Sequence, residues 1–419
     1  MFKSKSLRKG AVNASYLFIS KISAQALSFL SLIYIARELG PNEYGKFSTT
    51  VVFVSMFSFL ALDGLTKVLV REGSKDVSNF TRLFEYVLPI KLVVILIAFI
   101  LCIFAVGLTD YTLQIKYFIV LYALTILSNG LQVTFKAVFQ VYQEMKYIGY
   151  LDLTNRTLYV VFAVLFIYLG YGVVALIIIS LLSNIISTLI TIYISKRFLG
   201  KWVGLKLRFT LDSSILKPAV IFSLIGLFIF MYSRIDILMI SWFLGSGDVG
   251  LYAVPFRFVE VANFASTSLS VAFFPIFVQK IMKRTLRKKT ILKSIFFLFL
   301  IISFFCILLS IFSERLILLF LGEKYRLSGT VLAILVWDLA LGIPTIPISI
   351  TMQADNLELY QLFFGLSRAT SNVILNLILI DQYGIVGIAM ATIITRFLYL
   401  IIVNLGFQWR ILSNRGTIV

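Results

Sequence analysis

Apolar runs of more than twenty residues recur along the whole chain, and nothing else in the sequence constrains the fold so strongly. They lie near 12–36, 45–66, 83–107, 116–142, 147–169, 173–195, 218–244, 250–279, 292–313, 328–353, 359–380 and 385–408. A transmembrane helix needs about 20 mostly apolar residues, because each residue adds about 1.5 Å toward a hydrocarbon layer about 30 Å thick. The chain is 60% hydrophobic and 14% charged over 419 residues. A water-soluble globule does not hide that much apolar surface. The expected fold is therefore all-α: a polytopic membrane protein of about twelve transmembrane helices. The first run follows Lys3, Lys5, Arg8 and Lys9, as a signal peptide would. It is too long for a signal core, contains Lys21 and lacks a small-residue cleavage site, so it is expected to remain as the first span.

The basic residues set the orientation. With the N-terminus in the cytoplasm, 24 lysines and arginines fall in inner segments and 6 in outer loops. Positive charge is retained on the cytoplasmic side, so both termini are expected there, in the plasma membrane. The same asymmetry accounts for most of the +19 net charge. The basic stretches 196–217 and 280–293 are thus read as topogenic, membrane-facing charge and not as a nucleic-acid footprint.

Several chemistries drop out early. There is no histidine, which removes histidine acid–base catalysis and histidine metal sites. Cys102 and Cys306 lie far apart in separate apolar runs and are read as buried packing groups. No metal, no cofactor and no catalytic residue is expected, and the chain is not read as an enzyme.

Eight basic residues remain inside the apolar runs: Lys21, Lys91, Lys136, Arg156, Arg234, Arg257, Arg368 and Arg396. Each costs about 2.5–3.5 kcal/mol at membrane depth even on the lenient insertion scale. Lys136 and Arg257 sit near helix ends, where a long side chain reaches out to the interface. Arg396 lies too deep for that. Local acids answer part of the charge, since Asp63 and Lys67, Asp152 and Arg156, and Arg257 and Glu260 share a helix face. Arg234 and Asp236 are two apart and point away from each other, and Asp338 lacks a local basic partner. So many deep cations imply a water-filled cationic cavity between helices. Lys21, Lys91, Arg156, Arg234, Arg257, Arg368 and Arg396 are the candidate substrate-binding residues. Asp63, Asp236, Glu260 and Asp338 are the candidate ion-coupling or charge-balancing acids.

The chain also repeats itself. Leu39-Gly40-Pro41-Asn42-Glu43-Tyr44-Gly45 parallels Leu244-Gly245-Ser246-Gly247-Asp248-Val249-Gly250, and Tyr171-Gly172-Val173 parallels Tyr383-Gly384-Ile385. Arg156 and Arg368 each precede the YG pair of their own half by the same distance. The expected organisation is a six-helix lobe over 1–195, a basic cytoplasmic linker over 196–217, and a second six-helix lobe over 218–419. Six is even, so the two repeats run parallel, an architecture that transporters use for alternating access about a site between halves. Pro344 and Pro347 mark a candidate flexing point in the tenth span.

Ala36-Arg37-Glu38-Leu39-Gly40-Pro41 with Tyr44-Gly45, Asp63-Gly64-Leu65 leading to Arg71-Glu72, and Tyr383-Gly384-Ile385-Val386-Gly387 carry a resemblance over essentially the whole chain. The sequence resembles the polysaccharide-biosynthesis flippases, the O-antigen and teichoic-acid type exporters of the multidrug/oligosaccharidyl-lipid/polysaccharide superfamily. The resemblance implies movement of a polyprenyl-pyrophosphate-linked oligosaccharide from the inner to the outer leaflet. It also implies glycan polymerase or glycosyltransferase partners. A diphosphate needs cationic partners, and arginine's planar fork suits phosphate oxygens. Asn129, Gln132, Gln140, Tyr142, Asn372 and Asn376 are candidate walls for sugar hydroxyls. Two alternatives remain at this point: a drug–cation antiporter of the same fold, which favours an acidic site, and a membrane glycan polymerase or ligase, which favours a large outer loop.

Overall fold

The computed structural model describes residues 2–200, 213–263, 288–344 and 358–413, with backbone alone over 61–63 and some other helical stretches. The side chain of Asp63, Pro347 and most of the basic stretches 196–217 and 280–293 lie outside the described residues.

Among the described residues the secondary structure is helical throughout. The helices are α1 (Phe2–Lys75), α2 (Phe80–Gly107), α3 (Leu113–Val141), α4 (Met145–Tyr168), α5 (Gly172–Leu199) and α6 (Ser213–Phe243). They continue with α7 (246–263), α8 (Lys288–Leu321), α9 (Arg326–Leu335), α10 (Trp337–Gly342) and α11 (Glu358–Ser413). Nine helical stretches among the described residues are long and apolar enough to cross a membrane. Two of them, Ser20–Ser58 and Phe363–Ile402, run to 39 and 40 residues. That is about twice what one crossing needs. Each is cut by a glycine in a non-helical conformation, Gly40 at φ 73° and Gly384 at φ 54°. At the first break Pro41 follows, and its missing N–H and fixed φ suit the start of a new helix. The two breaks fall where the sequence separates 12–36 from 45–66 and 359–380 from 385–408. The chain is an all-α, multi-pass membrane protein.

Why these helices belong in lipid is plain on α2. Ile95, Ala98, Cys102 and Val106 are buried, whereas Val93, Leu96, Ile97, Ile100, Leu101 and Phe104 are exposed. Both faces are apolar, so the outward one needs hydrocarbon and not water. Inside, α5 carries a buried stripe of Ser180, Ser183, Ser187, Thr191 and Ser195 at spacings of three and four. Small hydroxyl residues let helix backbones approach closely, which drives association where lipid offers no hydrophobic contrast. α5 lies against α3 and α4 along this stripe, and α2 packs on α3.

Contacts divide the chain into two compact units. The first comprises Met1–Leu39 and Lys46–Phe230, and the second Gly40–Gly45 and Met231–Val419. In the first, Phe80, Phe84, Val138 and Val141 form a core on which Tyr142 and Phe198 pack. Tyr142, considered above as a wall for sugar hydroxyls, sits edge-on to Phe80 at 5.9 Å and tilted on Phe198 at 5.5 Å. In the second, the Cys306 thiol points at the Val336 carbonyl at 3.3 Å, and Ser310 Oγ donates to the Ala333 carbonyl at 2.8 Å, tying α8 to α9. α10 ends at Gly342, two residues before Pro344. Ile343, which precedes Pro344, keeps helical dihedrals of φ −58° and ψ −47°.

The second unit also contains a reciprocal contact between the paired glycine motifs. A Cβ on Gly45 would meet the carbonyl of Ser246 and the amide of Gly250, while one on Gly250 would meet the carbonyl of Pro41. Ser246 is the counterpart of Pro41, and Gly250 that of Gly45, at the offset of 205 that the two motifs share.

Between α1 and α2, Asp76 Oδ1 accepts from the Ser78 amide (3.1 Å), the Ser78 hydroxyl (2.5 Å) and the Asn79 amide (3.3 Å). Those donors, the Ser78 hydroxyl first, hold its carboxyl below the ordinary carboxylate range. The turn gains stability that is present above the unfolded pKa and lost as pH falls through the lowered one.

Candidate functional site

Helical spacing builds the site. Arg368, Asn372 and Asn376 stand four apart on one face of α11, and Thr392 and Arg396 stand four apart beyond the Gly384 break. On α6, Tyr232 and Asp236 share a face, whereas Arg234 points elsewhere. Within the second unit these faces form three polar clusters.

The first cluster surrounds Asp338 on α10. Arg396 Nε lies 3.2 Å and Arg368 Nη2 4.0 Å from Asp338 Oδ1, and Asn263 Nδ2 donates to Oδ2 at 3.3 Å. The Arg368 guanidinium stacks on the ring of Tyr232, 3.1 Å from its centroid, with Tyr399 at 5.0 Å. Gly342 makes room for Arg396, since a Cβ there would stand 2.5 Å from Nη2. The second cluster centres on Glu260 of α7. Arg234 Nη2 pairs with Glu260 Oε1, Arg257 Nη1 reaches Oε2 at 2.8 Å, and Arg234 lies over the Phe256 ring at 5.1 Å. In the third, Asp236 is 1% exposed. Tyr252 donates to its Oδ2 at 2.8 Å and Asn376 to its Oδ1 at 2.7 Å. Thr392 Oγ1 stands 2.8 Å from the same Oδ2, and Asn372 accepts from Asn376 at 3.2 Å.

The charge balance decides what this arrangement can do. Around Asp338 two arginines share one carboxylate, so pairing there leaves one positive charge behind; Glu260 likewise receives both Arg234 and Arg257. Asp236 shows the opposite imbalance. Its partners Tyr252, Thr392 and Asn376 are all neutral, and among the described residues no lysine or arginine pairs with it. Burial among neutral donors leaves a carboxylate with a desolvation penalty that those hydrogen bonds offset only in part, and a proton or a cation would remove the rest.

A family model described as polysaccharide biosynthesis protein matches residues 11–282. The chain belongs to this family. Among curated relatives, a probable low-salt glycan biosynthesis flippase, Agl15 of Haloferax volcanii, is 27% identical over 90% of this chain and 79% of that protein. The capsular polysaccharide biosynthesis protein CapF of Staphylococcus aureus is 21% identical, covering 93% and 97%. The fold is that of the lipid II flippase MurJ in its inward closed conformation, with a TM-score of 0.75 at 15% identity over 94% of this chain and 87% of that one. An inward-facing multidrug resistance MATE family transporter matches with a TM-score of 0.70 at 16% identity, covering 94% and 96%.

The remaining candidates of this family member stand in the first unit. Lys91 is 1% exposed, Lys21 is exposed on α1, and Arg156 lies over the Tyr159 ring at 5.2 Å. Within the second unit Arg234 comes together with Arg257, and Arg368 with Arg396. Lys136 differs from the sequence expectation. Instead of reaching toward the interface it turns inward, donating to Asp152 Oδ1 at 2.5 Å and Gln132 Oε1 at 3.1 Å, and Gln132 donates to Ser187 at 2.5 Å. Lys136→Met is expected to cost about 1–2 kcal/mol, since one charge-assisted hydrogen bond to a partly exposed acid is lost. A double-mutant cycle with Asp152→Asn in purified protein, read by thermal unfolding, checks the pairing; additive losses would contradict it.

Sequence reasoning missed Tyr232, Tyr252, Asn263, Thr392 and Tyr399. Tyr232 and Thr392 carried a legible signal, each four residues from a charged group already singled out. Tyr252 and Asn263 meet their partners only through tertiary packing.

Proposed function

We propose that this protein flips a lipid-linked glycan from the inner to the outer leaflet, with a polyprenyl-pyrophosphate carrier, by alternating access along a cationic path. The observation that carries this reading is the pair of arginine clusters, Arg234–Glu260–Arg257 and Arg368–Asp338–Arg396, each with two arginines gathered on one carboxylate in an apolar helix bundle. Arginines gathered at membrane depth are costly, and an anionic cargo or a water-filled path would offset that cost. The names and coverage of the curated relatives support the same reading, and so does the likeness to a lipid II flippase. A cation antiporter calls for an acidic lining, opposite to the sign of both clusters.

In this reading Lys21, Lys91, Arg156, Arg234, Arg257, Arg368 and Arg396 line or support the path. Of the candidate acids, Glu260 and Asp338 balance charge, and Asp236 is the coupling acid, taking a proton or a small cation during the cycle. Twelve spans in two parallel six-helix repeats, with both termini in the cytoplasm, complete the proposal; the reciprocal packing of Gly45 and Gly250 supports the duplication.

The test uses proteoliposomes carrying a fluorescent polyprenyl-diphosphate glycan. Its appearance in the outer leaflet, read by a membrane-impermeant quencher, is expected with the wild type. It should fall by at least about tenfold, or 1.4 kcal/mol, when Arg234 and Arg257 are both changed to Gln. Equal rates with and without protein would overturn the reading.

A further inference from the structure

A guanidinium presents Nε–H and one Nη–H side by side along a single edge, and that edge matches two oxygens of one oxyanion. In Arg368 both atoms of this edge, Nε and Nη2, are buried and make no hydrogen bond to any described residue. Nη2 is 4.0 Å from Asp338, close enough for charge attraction and too far for a hydrogen bond. Stacking on Tyr232 fixes the guanidinium plane, so the edge is the direction in which it can still donate.

Charge selects the ligand. Arg368, Arg396 and Asp338 together carry one net positive charge. A diphosphate brings at least two negative charges and would leave a buried excess, whereas one negative charge brings the cluster to neutrality. Two coplanar or geminal oxygens carrying a single charge also fit the fork.

We propose that the Arg368 edge is a receptor for a singly charged oxyanion with two adjacent oxygens, held in balance by Arg396 and Asp338. Two sources share that chemistry: the carboxylate of an acidic sugar on the cargo, and the phosphodiester of a bilayer lipid. The first source rests on the glycan-flippase reading above. A diphosphate on the proposed path would draw on both arginine clusters together, whereas this site by itself suits a single negative charge.

Full-length protein in nanodiscs of zwitterionic lipid is titrated with glucuronate, glucose and inorganic pyrophosphate, and thermal stabilisation is read. Glucuronate should stabilise the protein, glucose should not, and pyrophosphate should bind more weakly than glucuronate. Arg368→Lys keeps the charge and loses the fork, so apparent affinity should fall at least about tenfold, or 1.4 kcal/mol. A second arm adds phosphatidylglycerol to the discs. Stabilisation there that depends on Arg368, without a glucuronate effect, supports the receptor and assigns it to lipid. Binding of neither monoanion, tighter binding of pyrophosphate, or unchanged affinity in Arg368→Lys overturns the proposal. If Arg368→Lys does not fold, Gly342→Ala decides. Its methyl displaces the Arg396 guanidinium, frees Asp338 toward Arg368 and should weaken the monoanion, and unchanged affinity overturns the receptor. Flipping without monoanion binding sinks the receptor alone; monoanion binding without flipping sinks the flippase reading alone.

Discussion

Asp236→Asn is expected to reduce coupled flipping to the background of protein-free liposomes while leaving the protein folded. The two side chains have nearly the same shape, and the site supplies only neutral partners in Tyr252, Thr392 and Asn376. Loss of one neutral hydrogen bond costs about 1 kcal/mol, and removal of an uncompensated buried charge offsets part of that. Stability should therefore change by no more than about 1 kcal/mol. Function should change much more, because an amide neither takes up a proton nor draws a cation into the cluster. Thermal unfolding and quencher-read flipping on the same preparation separate the two effects. Wild-type flipping by Asp236→Asn would make Asp236 a structural hydrogen-bond acceptor and leave the coupling acid to be sought elsewhere.

That experiment turns on a residue the sequence singled out as a candidate coupling or charge-balancing acid but without its neighbours. Lipid makes the helices legible: each crossing must satisfy its backbone internally and cover itself with apolar side chains, so hydropathy alone outlines them. The same uniformity hides the partners. Arg257 and Glu260 pair as their spacing implies, because three residues along a helix fix the geometry. Arg234 reaches that same Glu260 from another helix, and Asp338 collects Arg368 and Arg396 from positions tens of residues away. Nothing in a local pattern encodes those meetings. Lys136 makes the point most sharply. Its place near a helix end suggested escape to the interface, yet its ammonium donates to the acceptor oxygens of buried Gln132 and of Asp152. In a bundle rich in hydroxyl and amide side chains, inward pairing competes with snorkelling, and here it wins.

The two arginine clusters share a logic that the sequence stated only as a count. Each brings two guanidinium groups onto one carboxylate, which holds them in place without cancelling them. A fully neutral cluster would have no use for an anionic cargo, and bare arginines would repel one another and cost the full burial penalty. One acid for two arginines lies between these limits. Asp338→Asn is therefore a change of charge balance more than of shape, and it bears on anion affinity more directly than on the fold.

Gly250→Ala is expected to be strongly destabilising, and Gly247→Ala, three residues earlier, to be nearly silent. The added methyl at 250 would fall on the backbone carbonyl of Pro41, whereas nothing lies within 4 Å of one at 247. A backbone carbonyl cannot rotate aside as a side chain can, so the turn itself must move, and overpacking of that kind costs about 1–3 kcal/mol or more. Gly45→Ala should behave like Gly250→Ala, since its methyl would meet the Ser246 carbonyl. Gly40→Ala tests a different cost. Its surroundings are open apart from the Lys324 stem at 4.0 Å, but φ is 73°, so only the left-handed backbone penalty of about 1 kcal/mol applies. The expected order of loss in thermal unfolding is Gly45 and Gly250 first, Gly40 next and Gly247 last. The two largest losses should also be subadditive in the double variant, because both methyls push the same pair of turns apart. Equal tolerance at 247 and 250 would mean that the two glycine motifs do not meet, and the argument for duplication would then rest on sequence spacing alone.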